Sequence, residues 1–154
     1  MTLVAVREGI AVTDESSISD HVSVQRVLYD YAWACDNGDW SLLRSVFTDD
    51  ARLDYSSTGG PAGGREEVLG WLEQSLSQVP VIQHVVSNFQ IDVTLDRGAG
   101  RAMFFTAARV PGLDDMLYTG GYYDLRFRRA AEGWKIEQMV EDNRWMQPAP
   151  PGHP

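Results

Sequence analysis

An α+β domain, with helices leading and a curved, largely antiparallel sheet following, is implied by three features of this chain. Apolar residues recur at three- and four-residue intervals early on, at Val24, Val27, Leu28, Tyr31, Ala34 and Cys35, and again at Val68, Leu69, Trp71, Leu72 and Leu76. After Pro80 the pattern changes to four long strand-like runs, "VIQHVVSNFQIDVTL", "GRAMFFTAARV", "YTGGYYDLRFRR" and "GWKIEQMVEDNRW". The segments between them, "DRGAG", "PGLDDM" and "AAEG", are short and rich in turn residues, as hairpin connections are.

Residues 1–19 mix apolar and polar side chains without a period and are expected to form a flexible or edge-pairing arm, with Ser17, Ser19 and Asp20 as helix N-cap candidates. The first helix runs from His21 to Asn37-Gly38, a pair that supplies the left-handed stop just past a helix end. Asp39 caps a short second helix, "WSLLRSVF". "DDARLDYSS" alternates Ala51, Leu53 and Tyr55 against Arg52 and Asp54, which is the signature of a strand. The glycine-rich "STGGPAGG" reads as a loop, and "REEVLGWLEQSLSQ", acidic in its opening turn, as the third helix. Residues 20–146 thus make one domain, and residues 147–154 a disordered proline-rich tail that cannot join the sheet.

The chain has 154 residues, 44% hydrophobic and 23% charged, which is a globular balance and suits one domain. A net charge of −9 with no clustered Lys and Arg argues against nucleic-acid binding, since nothing would neutralise a row of phosphates. No apolar run approaches the length of a membrane span. The single cysteine, Cys35, makes no internal disulfide, so a reducing cytoplasm is the default location.

A sheet covered by helices can leave an apolar pocket, the default place for a small-molecule site. His84 is the one histidine inside a core strand, on the face shared by Ile82 and Val86. Its plain reading is a core histidine satisfied by one hydrogen bond; its functional reading is a general base or acid. Asp36 sits in the last turn of the first helix, where the helix dipole disfavours a carboxylate. A turn role is the plain reading, but a carboxylate there could accept from a histidine ring and fix its tautomer. Tyr29, Tyr31 and Tyr55 are candidate phenolic donors. Trp33, Trp71, Phe104, Asn88, Tyr123 and Asn143 are candidates for the pocket wall.

The run "LYDYAWACDNGDWSLLRSVFTDDARLDY", followed by "GREEVLGWL", "QHVVSN" and "GWKIEQMVEDNRW", resembles the SnoaL-like branch of the nuclear transport factor two superfamily, from Asp20 to Trp145. That superfamily also holds scytalone dehydratase, steroid and bile-acid dehydratases and the small subunits of ring-hydroxylating dioxygenases. The resemblance implies a cone of curved sheet wrapped by three helices around a deep apolar pocket, and a homo-oligomer, dimer or trimer. Asp36 and His84 match the aspartate and histidine paired in the dehydratase members. Tyr31 is similar to the catalytic tyrosine of the bile-acid dehydratases, and Tyr55 to a substrate-orienting tyrosine of scytalone dehydratase. Where scytalone dehydratase has a tyrosine before its aspartate and a second histidine, this chain has Cys35 and Gly112; Gly121 and Tyr123 replace its later serine and asparagine. Scytalone is therefore not the expected substrate.

The expected activity is a dehydratase-like lyase that needs no cofactor or metal. His84 removes a proton α to a carbonyl and returns it to the departing hydroxyl, Asp36 orients His84, and Tyr31 or Tyr55 donates to the enolate. The substrate class is a hydrophobic polyketide- or steroid-like molecule. A cyclase or isomerase built on the same dyad and a non-catalytic ligand-binding or assembly subunit are the alternatives.

Overall fold

The helical stripe that begins the core forms α1, Glu15–Asn37, in the computed structural model, which describes residues 15–148. Of the arm expected at 1–19, residues 15–19 are the start of α1 and the rest lies outside the described residues; of the tail expected at 147–154, Gln147 pairs with Tyr118 in the sheet and residues 149–154 lie outside the described residues. Helix α1 starts upstream of His21, so Ser17, Ser19 and Asp20 lie within it and not at its start. Asp20 is used tertiarily: its carboxylate accepts from Trp134 Nε1 at 3.1 Å and pairs with Arg129. The buried residues Val24, Val27, Leu28, Tyr31, Ala34 and Cys35 are the stripe expected from their spacing.

Asp39 caps α2, Trp40–Ser45, by accepting from the Leu42 N–H at 3.0 Å. The helix ends two residues earlier than its apolar pattern implied, because Phe47 is fully buried as the first residue of β1, Phe47–Asp54. The glycine-rich segment carries structure that its composition hid. A 3₁₀ turn covers Ser56–Thr58, and a short strand β2, Ala62–Gly64, pairs antiparallel with β1. Helix α3, Arg65–Leu76, then buries Val68, Leu69 and Leu72.

Four long strands follow: β3 Val81–Thr94, β4 Arg97–Arg109, β5 Leu117–Ala130 and β6 Gly133–Gln147. The turn between β3 and β4 is Leu95-Asp96, so most of "DRGAG" belongs to β4. Gly100 is there for closeness: a Cβ on it would lie 2.0 Å from the Gln90 carbonyl oxygen, beside the irregularity between Ser87 and Gln90. The six strands run in the order β2-β1-β6-β5-β4-β3, with β1 parallel to β6 and the other pairs antiparallel. This is a curved, unclosed sheet. Helix α1 lies against β3 and β6, and α3 against β1 and β2. Among the described residues, no helix is long and apolar enough to cross a membrane.

Candidate active site

Between the helices and the curved sheet lies a mostly apolar cavity of about 330 Å³. Tyr31 comes to it from α1, Tyr55 from just after β1, Trp71 from α3, His84 from β3, Phe104 from β4, and Glu141 and Asn143 from β6. Strand alternation explains the β3 contribution. Ile82, His84 and Val86 turn inward, while Val81 and Val85 are exposed.

His84 meets Asp36 as their positions implied. Nδ1 of the ring lies 2.6 Å from Asp36 Oδ1, and the His84 backbone N–H donates to the same carboxylate at 2.9 Å. Both side chains are largely sheltered. These two contacts offset the unfavourable position of Asp36 at the end of a helix that has no basic residue in its last turn. With Nδ1 committed to the carboxylate, Nε2 is the ring nitrogen left for the cavity.

The Tyr31 and Tyr55 hydroxyls lie 2.6 Å apart, and the Tyr55 hydroxyl also lies 3.7 Å from Met139 Sδ. Burial, above all, holds both phenols well above the ordinary tyrosine value, so both remain proton donors. Tyr123 is buried and stacked on Phe104, with ring centroids 4.6 Å apart, and it supports the wall from behind. Burial pushes the Cys35 thiol up to about 12, which leaves it an inert core residue.

Not every expected pocket residue reaches the cavity. Trp71, Phe104 and Asn143 do. Tyr29 and Trp33 are exposed on the outer side of α1, along a groove that runs beside Asp36 and the outer edge of β3. They stand on the margin of the helical stripe, where spacing alone cannot separate inside from outside. Asn88 lies at the β3 irregularity with a φ of 51°, exposed, its amide against Met103 Sδ. The backbone bend takes it out of the alternation that would have turned it inward.

Glu141 is the site residue that sequence reasoning missed. Burial raises its carboxyl above the usual range, against the lowering influence of the Thr58 hydroxyl bond and of His84. It sits in "VEDNR", where three polar residues follow in succession and alternation marks none of them as interior.

Among curated proteins, the chain is 36% identical over 127 residues to uncharacterized proteins of Mycobacterium tuberculosis and Mycobacterium bovis, covering 82% of this chain and 86% of theirs. Solved structures share the fold at low identity. One, named as a candidate scytalone dehydratase from Novosphingobium aromaticivorans, superposes with a TM-score of 0.80 at 17% identity, over 91% of this chain and 98% of that one. Another, a hexachlorocyclohexane dehydrochlorinase from Novosphingobium barchaimii, gives 0.75 at 16% identity, over 88% and 94%. The family model described as a SnoaL-like domain matches residues 16–140. That match runs from the second residue of α1 into β6 and takes in both Asp36 and His84, and the chain belongs to the SnoaL-like domain family.

Proposed function

We propose that this protein is a cofactor-independent lyase that removes a proton α to a carbonyl and expels a β-hydroxyl as water from a hydrophobic polyketide- or steroid-like molecule. The observation that carries the reading is the Asp36 carboxylate gripping His84 by both its backbone N–H and its ring Nδ1, which leaves Nε2 to the cavity. A histidine oriented in this way acts as a base through the far nitrogen, while the carboxylate stabilises the imidazolium that forms.

Tyr55 is the donor to the enolate oxygen. Its hydroxyl lies against the Met139 sulfur, a weak acceptor that a substrate oxygen displaces readily, and the Tyr31 hydroxyl beside it can donate to Tyr55 when the Tyr55 proton turns to the substrate. A donor aimed at developing negative charge in a dry site is worth roughly 3 kcal/mol. The apolar walls around Trp71 and Phe104 favour a ring-bearing substrate. Dehydratases and dehydrochlorinases, the activities by which the two structural neighbours are named, are both eliminations.

The test is a panel of apolar β-hydroxy carbonyl compounds, assayed by mass spectrometry for loss of water. Asp36→Asn and His84→Ala should each reduce turnover by roughly a hundredfold or more. Turnover that survives both substitutions removes the dyad. Self-association as a dimer or trimer belongs to the same proposal, supported by the exposed apolar side chains Phe105, Tyr118 and Trp145 gathered on the outer sheet face. Light scattering that returns the 17.2 kDa of one chain would refute it.

A further inference from the structure

Among the described residues, the cavity holds one carboxyl that the dyad does not use. Glu141 lies on β6 and His84 on β3, two strands separated by β5 and β4, yet the curvature of the sheet brings both to the same cavity. The 3₁₀ turn holds Glu141 at two points. Ser57 Oγ donates to its backbone carbonyl at 2.7 Å, and Thr58 Oγ1 lies 2.7 Å from its Oε1.

Thr58 reveals more than position. The same Oγ1 also lies 3.1 Å from the Tyr55 carbonyl oxygen. A hydroxyl carries one proton and cannot serve two acceptors fully. A proton on Glu141 resolves the conflict, because the carboxyl then donates to Thr58 and Thr58 donates to Tyr55. Once Glu141 ionises, the Thr58 proton can turn to the new carboxylate. The turn is therefore built to hold this side chain in either state. The electrostatic neighbours of Glu141 are His84 from β3, Tyr123 from β5, Cys35 from α1 and Tyr55; of these His84 alone can carry a positive charge.

We propose that Glu141 is the general acid of the elimination, giving its proton to the leaving hydroxyl while His84 takes the α-proton, with Thr58 as its positioning residue. This rests on the lyase reading above and divides between two walls the two proton transfers that His84 would otherwise perform alone. His84 Nε2 takes the proton from the α-carbon, and the released electron pair passes through the enolate into the new carbon-carbon double bond. The bond from the β-carbon to oxygen breaks with its pair on oxygen, which takes the Glu141 proton and leaves as water. Imidazolium and carboxylate remain, and one proton passed from His84 to Glu141 through solvent resets the site.

Two measurements decide it. Carbon NMR of protein labelled at the glutamate carboxyls, with Glu141 assigned by its absence in Glu141→Gln, needs no substrate. Glu141 should keep its proton to higher pH than the bulk of the glutamates; titration together with them overturns the proposal. The second uses the aryl β-hydroxy ketone formed from benzaldehyde and acetone, beside its β-chloro counterpart, whose chloride departs without a proton. Glu141→Gln should slow loss of water by roughly a hundredfold to ten-thousandfold and loss of chloride far less. Equal slowing of both, or of neither, overturns the acid role and leaves the dyad intact. His84→Ala should abolish both reactions; persistence of both in that variant removes His84 as the base, and loss of neither leaving group by the parent protein defeats the lyase reading itself.

Discussion

At the scale of single residues, the two tyrosines differ in what each hydroxyl touches. On the proposed mechanism, removing the Tyr55 hydroxyl takes away the donor itself, whereas removing that of Tyr31 takes away only its support. Tyr55→Phe should cost roughly a hundredfold in kcat, and Tyr31→Phe clearly less, with little change in KM for either. Steady-state kinetics on any substrate from the panel checks the order. Glu141 gives a prediction with a definite sign. Its carboxyl is raised in the folded protein, so its contribution to stability is fully present below the unfolded value and is lost as pH rises through the folded one. Glu141→Gln should therefore melt higher than the parent at neutral pH, with the gain vanishing in acid; thermal scans at both pH values check it. The contact between Asp36 and His84 was legible in the sequence because each sat where local rules disfavoured it: a carboxylate at a helix C-terminus and a lone histidine in an apolar strand. Glu141 violated no such rule, and Tyr29 and Trp33 lay on a helical margin that only the fold could assign.

At the scale of elements, the sheet depends on places where two backbones come too close for a side chain. At the irregularity between Gly120 and Gly121, a Cβ on Gly121 would lie 2.1 Å from the Asp142 carbonyl oxygen. Gly121→Ala must push β5 away from β6, at a cost of about 1–3 kcal/mol or more. The melting temperature should fall by about 2–4 °C for each kcal/mol. Because the displaced segment carries Asn143 into the cavity, activity should fall as well. The long helices and strands could be read from the chain because their burial imposes a period on residue type. Strand β2 could not: Ala62, Gly63 and Gly64 have almost no side chains with which to show a pattern, and β2 exists only because β1 offers it an edge. The Leu95-Asp96 turn was obscured for the opposite reason. The nearby glycines advertised a loop, while Gly98 lies within β4 and Gly100 serves the close approach of β4 to the Gln90 backbone.

At the scale of the whole molecule, several carboxylates tie distant parts of the chain together. Asp20 joins α1 to β5 and β6 through Arg129 and Trp134, and the Arg129 bond is the main cause that holds its carboxyl below the usual range. A depressed carboxylate contributes stability above its unfolded value and loses it as pH falls through its folded one. Asp20→Asn should accordingly lower the melting point at neutral pH and leave it unchanged in strong acid, which makes the acid limb of the stability curve shallower. A pH series of thermal scans measures this.

Among the described residues, strand β3 is the last strand of the sheet, and its outer edge faces α1 and not another strand. The His84 N–H that Asp36 accepts points out of that edge, where a foreign strand would otherwise find a donor waiting. The carboxylate that orients the ring thus also plugs the sheet against recruitment by neighbouring chains. On the proposed lyase reading, solubility and activity are consequently coupled at one side chain. Asp36→Ala will lose both, precipitating from concentrated solution sooner than His84→Ala, which keeps the plug in place.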